Sequence, residues 1–106
     1  MNTLLNLEVI LVEDNLSDAE LAIHSLKKNK LVNNILHLQD GEEAIDFMFG
    51  RGSYAGLDLN NKPCLILPDL KMPRLSGIEV LRMLKYDTRT KNIPVVVLTS
   101  SKENRI

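Results

Sequence analysis

The sequence predicts an open α/β domain, a parallel sheet covered by helices on both faces. Two observations carry this. Short β-rich apolar runs alternate with segments whose apolar residues recur on one helical face, and the runs themselves lack the polar alternation of half-exposed strands. A third agrees with them: the residues just past the strand ends are acidic or hydroxylic, as at the ligand-binding edge of a doubly wound sheet. With 106 residues, 44% of them apolar and 25% charged, the chain suits one core of a globular protein. It carries no internal repeat, low-complexity tract or domain boundary.

Each element has its own signature. LEVILV (7–12) is an apolar run that breaks off at Glu13-Asp14-Asn15. Ser17-x-x-Glu20 then has the form of a capping box. Ala19, Ala22, Ile23 and Leu26 make one helical stripe, which fades near Lys27-Lys28-Asn29-Lys30. NNILHL (33–38) reads as a second, weaker strand, and DGEEAIDFMF (40–49) as a short helix burying Ala44, Ile45 and Met48. GRGSYAGLDLNNK (50–62), with three glycines and little periodicity, reads as a surface loop long enough to serve recognition. Cys64 to Leu67 forms a third strand, GIEVLRMLKYD (77–87) a third helix with Ile78, Leu81 and Leu84 inward, and Pro94 to Leu98 a fourth strand.

Charge and composition narrow the function classes. Thirteen Lys and Arg against fourteen Asp and Glu leave a net charge of -1, which favours neither nucleic acid nor an anionic membrane. Arg82, Lys85, Arg89 and Lys91 read as a solvated face and not as a DNA-binding helix. No apolar run approaches the roughly 20 residues of a spanning helix, and the start lacks the pattern of a secretory signal, so a cytoplasmic protein is expected. The single cysteine, Cys64, reads as a small core hydrophobe. His24 and His37 sit away from the strand ends and read as structural or surface residues.

The strand ends hold the chemistry. Glu13 and Asp14 follow the first strand, Asp69 the third, and Thr99, Ser100 and Ser101 the fourth. If those strands are neighbours, three carboxylates and a hydroxyl share one edge. Acids that close repel one another unless a cation lies among them, and an oxygen-only set suits Mg²⁺ or Mn²⁺ over zinc. No G-x-S-x-G, G-x-x-x-x-G-K or glycine fingerprint after the first strand is present, which weighs against a hydrolase, a P-loop NTPase and a dinucleotide binder. What is left is a carboxylate beside a metal, and a carboxylate can itself accept a phosphoryl group.

In this order and spacing the sequence resembles the receiver domain of two-component response regulators. The resemblance rests on Glu13-Asp14, on Asp69 of LILPDLKMP with Pro73 and Gly77 four and eight residues beyond it, and on IPVVVLTS ending at Thr99. It implies a flavodoxin-like strand order 2-1-3-4-5, with Asp69 as phosphoacceptor. Asp14 and the backbone carbonyl of Lys71 would be metal ligands, Glu13 would hold the metal through water, and Thr99 would bond the phosphoryl oxygens. The function implied is phosphorelay signalling, in which a sensor histidine kinase gives its phosphoryl group to an autocatalytic acceptor that is not a turnover enzyme. The long loop before the third strand also resembles small single-domain regulators that partner bacterial phytochrome kinases.

Two departures accompany the resemblance. The family's lysine at the end of a fifth strand has no counterpart, because the sequence stops at Ile106 where a fourth helix is due. The expectation is a 1–106 receiver domain lacking helix 4, strand 5 and helix 5, with an exposed edge at Val95, Val96 and Val97. Such an edge would be completed by further chain or by another copy, as a homodimer or swapped oligomer. Pro68 stands where the family has a bulky aliphatic residue, and a central strand tolerates proline best at its last residue or at a bulge. Two other functions compete: a degenerate receiver acting as a phosphorylation-independent interaction module, and a haloacid-dehalogenase-like phosphatase. The latter needs an acid two residues beyond the nucleophile, and here that residue is Lys71.

Overall fold

Strand β1 (Val9–Val12) is buried along its whole length, and its neighbours explain why an unbroken apolar run was needed. In the computed structural model, which describes residues 9–29, 34–55, 63 and 65–98, β1 is the centre of a parallel sheet. It pairs on one side with β2 (Ile35–Leu38) and on the other with β3 (Leu65–Pro68), giving the order β2-β1-β3. Successive residues face opposite ways. Val9 and Leu11 meet Ala19, Ala22, Ile23 and Leu26 of helix α1 (Leu16–Lys28). Ile10 and Val12 meet Ala44, Ile45 and Phe47 of α2 (Gly41–Phe49) and Val80 and Leu84 of α3 (Gly77–Tyr86). The sheet is thus wound on both faces in the expected flavodoxin-like manner.

Several local readings are corrected. Helix α1 is capped by Asn15, whose side chain accepts from Asp18 N at 2.9 Å, so Ser17 lies inside the helix and the Ser17/Glu20 box is not the cap. Asparagine directly before the first turn competes for that role and is at least as good a cap as serine. In α2 the fully buried aromatic is Phe47, with Met48 only partly covered. In α3 the inward stripe is Gly77, Val80 and Leu84, whereas Ile78 is on the exposed side. The loop after α2 begins with a 3-10 turn (Gly52–Tyr54), fixed by Tyr54, whose hydroxyl donates to Glu43 Oε2 at 2.7 Å and whose ring stands edge-on to Phe47. Of the basic residues near α3, Lys85 donates to the carbonyls of Lys91 and Ile93, and the Arg89 guanidinium stacks 4.8 Å from the Phe49 ring centre. All four basic residues, Arg82, Lys85, Arg89 and Lys91, are nonetheless exposed, as the solvated-face reading expects. Cys64 and residues 56–62 of the loop lie outside the described residues.

The fourth strand is represented by two parallel bridges, Ile66 with Val95 and Asp69 with Leu98, and not by a continuous ladder. Pro68 accounts for the break. Ile66 N donates to Pro94 O at 2.9 Å and Leu70 N to Leu98 O at 2.6 Å, so alternate N–H groups of this stretch face residues 94–98. The donor between them would be residue 68, and proline has none. On the return side the ladder is intact, with Val96 N donating to Ile66 O at 3.0 Å and Leu98 N to Pro68 O at 2.8 Å. Pro68 is also the last residue of β3, the position where a central strand tolerates it best.

Candidate functional site

The first two strands and β3 end together, so the residues that follow them share one edge. Glu13 extends the pairing of β1 by one step, donating its N–H to Leu38 O at 3.0 Å, and Asp69 does the same for β3 through Val12 O at 2.9 Å. Glu13 (6% exposed) and Asp69 (2%) are therefore sunk into the sheet edge, while Asp14 is exposed at the rim. One carboxylate oxygen from each of the three lies within 4.8 Å of the others. The juxtaposition expected from the strand ends is present.

Burial and crowding act on Glu13. Its carboxyl is pushed up to about 7, chiefly by removal from water and further by the negative charges of Asp69, Asp18 and Asp14; the Asn15 N–H, 3.1 Å from Oε2, opposes the shift. Three acids so close, with no nitrogen or sulfur donor in the group, fit a hard divalent cation such as Mg²⁺ or Mn²⁺, whose charge would relieve the repulsion.

The loop from Asp69 to Ser76 is held by small residues and caps. Gly77 opens α3 directly against the Asp69 carbonyl: a Cβ there would lie 2.8 Å from the Asp69 carbonyl carbon and 3.1 Å from Leu70 Cα. Gly77 N donates to Leu70 O at 3.1 Å, and Ser76 and Glu79 close a capping box around the helix start. Lys71, assigned a backbone ligand role by resemblance, is in this loop with an exposed side chain. Thr99, Ser100 and Ser101 lie outside the described residues. The segment leading to them is bridged to Asp69 at Leu98.

His37 and Asn15 belong to this site although neither was a candidate. The imidazole of His37 donates through Nε2–H to the Glu13 carbonyl at 2.8 Å, so it braces the acid pair from the neighbouring strand; the structural role is as expected, but the residue stands at the strand end and not away from it. Its position one residue before the end of β2 was the available signal. Asn15 serves both the α1 cap and the Glu13 carboxylate. His24 is exposed on α1, away from the acids.

Comparison with known proteins agrees with this geometry. Residues 9–106 match the response regulator receiver domain. Response regulator Rcp1 of Synechocystis is 39% identical over 93 residues, covering 88% of this chain and 61% of Rcp1. The chain spans about three fifths of the length of such curated relatives. Among solved structures, the bacteriophytochrome response regulator AtBRR superposes with a TM-score of 0.80 at 42% identity, covering 91% of this chain and 68% of AtBRR. The phosphorylated cyanobacterial phytochrome response regulator RcpA gives 0.75 at 38% identity (89% and 65% covered). The Mn²⁺-bound form of Rcp1 gives 0.72 at 38% (89% and 66%).

Proposed function

The chain belongs to the response regulator receiver domain family, and on that premise we propose that it receives a phosphoryl group from a sensor histidine kinase on the carboxylate of Asp69. The observation that carries the reading is the gathering of Glu13, Asp14 and Asp69 at the carboxyl edge of the sheet. An Asp69 carboxylate oxygen forms the new P–O bond as the P–N bond of the kinase phosphohistidine breaks, and the departing imidazole nitrogen takes up a proton. Asp69 is suited to this by its fixed backbone, bonded on one side to Val12 and bridged on the other to Leu98, so little ordering remains to be done at the moment of transfer. Asp14, Asp69 and the Lys71 carbonyl would hold a divalent cation directly, with Glu13 acting through water. Bound there, the cation supplies charge neutralisation for the phosphoryl oxygens. The Thr99 hydroxyl would donate a hydrogen bond to the transferred group.

The kinase is proposed to be of phytochrome type. AtBRR and RcpA, both named as phytochrome response regulators, support that choice, as does the long segment after α2. No helix among the described residues is long and apolar enough to cross a membrane. Incubation with acetyl phosphate and Mg²⁺, followed by intact mass, tests the reading: an adduct of about 80 Da is expected, and it is lost with EDTA and in Asp69→Asn. Wild-type protein that binds Mg²⁺ yet gains no adduct would instead favour the phosphorylation-independent interaction module.

A further inference from the structure

Arg74, five residues beyond Asp69, has a backbone φ of 66°, and it is the only non-glycine residue with positive φ among the described residues. The left-handed region is unfavourable for a side chain with a Cβ, so its surroundings must hold it there. Its guanidinium bridges two acids of the neighbouring helix start: Nη2 lies 3.2 Å from Asp40 Oδ2 and Nε 3.0 Å from Glu42 Oε1. Asp40 is itself engaged as the cap of α2, its other oxygen accepting from Glu43 N at 2.8 Å. The next residue docks as well. A Cβ on Gly41 would come within 2.6 Å of the Leu75 carbonyl, and Leu75 N turns back to Pro73 O at 2.7 Å.

The far half of the β3–α3 loop is therefore pinned to the first turn of α2. The near half, Leu70 to Met72, spans from Asp69 to that pinned point. Met72 is buried and Leu70 N is bonded to Leu98 O, so the span has little slack.

We propose that Arg74 is a positioning residue for the metal: by clamping Pro73–Leu75 to the start of α2, it sets where the Lys71 carbonyl stands relative to the three carboxylates. The inference rests on the reading of this edge as a metal-dependent receiver site. Glycine would adopt the same φ without strain but would supply no clamp. The Arg74 side chain is 61% exposed, so its ion pairs add little to global stability, and its effect is expressed in the site.

Mn²⁺ binding, followed by the electron paramagnetic resonance of the free ion, tests this apart from phosphorylation. Arg74→Asn, which tolerates left-handed backbone, keeps the wild-type urea midpoint and binds Mn²⁺ about three- to tenfold more weakly. Glu42→Gln, an exposed change that leaves the fold alone, weakens binding by a smaller factor. The double variant is no weaker than Arg74→Asn, because both act through one clamp. In acetyl phosphate labelling, the Mg²⁺ needed for half-maximal rate rises by the same factor while the rate at saturating Mg²⁺ is preserved. Mn²⁺ affinities of both single variants equal to wild type, or independent multiplying effects, would overturn the proposal. If the wild type takes no label at all, the phosphoacceptor reading fails, while the Mn²⁺ titrations still decide the clamp.

Discussion

Replacing Gly77 by alanine probes how tightly the phosphoacceptor strand is built into the next helix. Gly77 is the first residue of α3, where alanine would normally be preferred by about 0.5–1 kcal/mol. Here the added methyl would meet backbone: 2.8 Å to the Asp69 carbonyl carbon and 3.1 Å to Leu70 Cα, against the roughly 3.5–4 Å of an unstrained carbon contact. Neither neighbour is a flexible side chain. Asp69 is tied to Val12 through its own N–H, and Leu70 to Leu98. Relief must come from moving the helix start or the loop, at the usual overpacking penalty of about 1–3 kcal/mol, which outweighs the propensity gain. Urea unfolding should show Gly77→Ala destabilised by about 1–2 kcal/mol, and acetyl phosphate labelling should be slowed, because the displaced backbone carries Asp69. Alanine that leaves stability and labelling rate unchanged, or raises stability, would refute the packing argument.

Other perturbations have equally definite outcomes. Pro68→Leu restores the missing donor facing Val96, so amide exchange should find residue 68 protected and the 94–98 segment better protected than in the parent; an unprotected amide would mean the break has another cause. Thr90→Val removes a buried hydroxyl that donates to Leu84 O at 2.6 Å and should cost about 1–3 kcal/mol in thermal or urea unfolding. Because the Glu13 carboxyl is raised in the folded state, from 4.5 to about 7, the folded protein binds the extra proton across that window. Metal-free stability should therefore fall as pH rises from about 4.5 to 7 and level off above it, and Glu13→Gln should flatten that decline when Tm is followed against pH.

Much of the fold could be read from residue patterns because the two-faced burial of β1 and β3 leaves a clear trace: runs such as VILV and LILP have no solvent side, so they carry no polar alternation. The acids were equally legible, since Glu13, Asp14 and Asp69 follow directly on those runs and strand ends in a parallel sheet converge. What stayed hidden depended on contacts between elements. Ile78 and Val80 both fit a helical stripe, and only the approach of α3 to Ile10 and Ile66 decides for Val80. The sequence favours Ser17 over Asn15 as the cap because a capping box is a pattern over four residues, while Asn15 caps with one oxygen. His37 and Arg74 could not be placed from their own neighbours in sequence, since their partners, Glu13 and the Asp40/Glu42 pair, lie 24 and more than 30 residues away. Pro68 was visible as an anomaly, but its consequence, two bridges in place of a ladder, required the register of residues 94–98.

The central claim is that one carboxylate, that of Asp69, carries the phosphoryl group. The most direct measurement is to label the protein with acetyl phosphate and Mg²⁺, reduce the acyl phosphate with borohydride and locate the resulting homoserine by peptide mass spectrometry. The conversion should occur at residue 69 and nowhere else. Homoserine at Asp14, the five-carbon alcohol 2-amino-5-hydroxypentanoic acid at Glu13, or the absence of any converted residue in metal-loaded, folded protein would contradict the account.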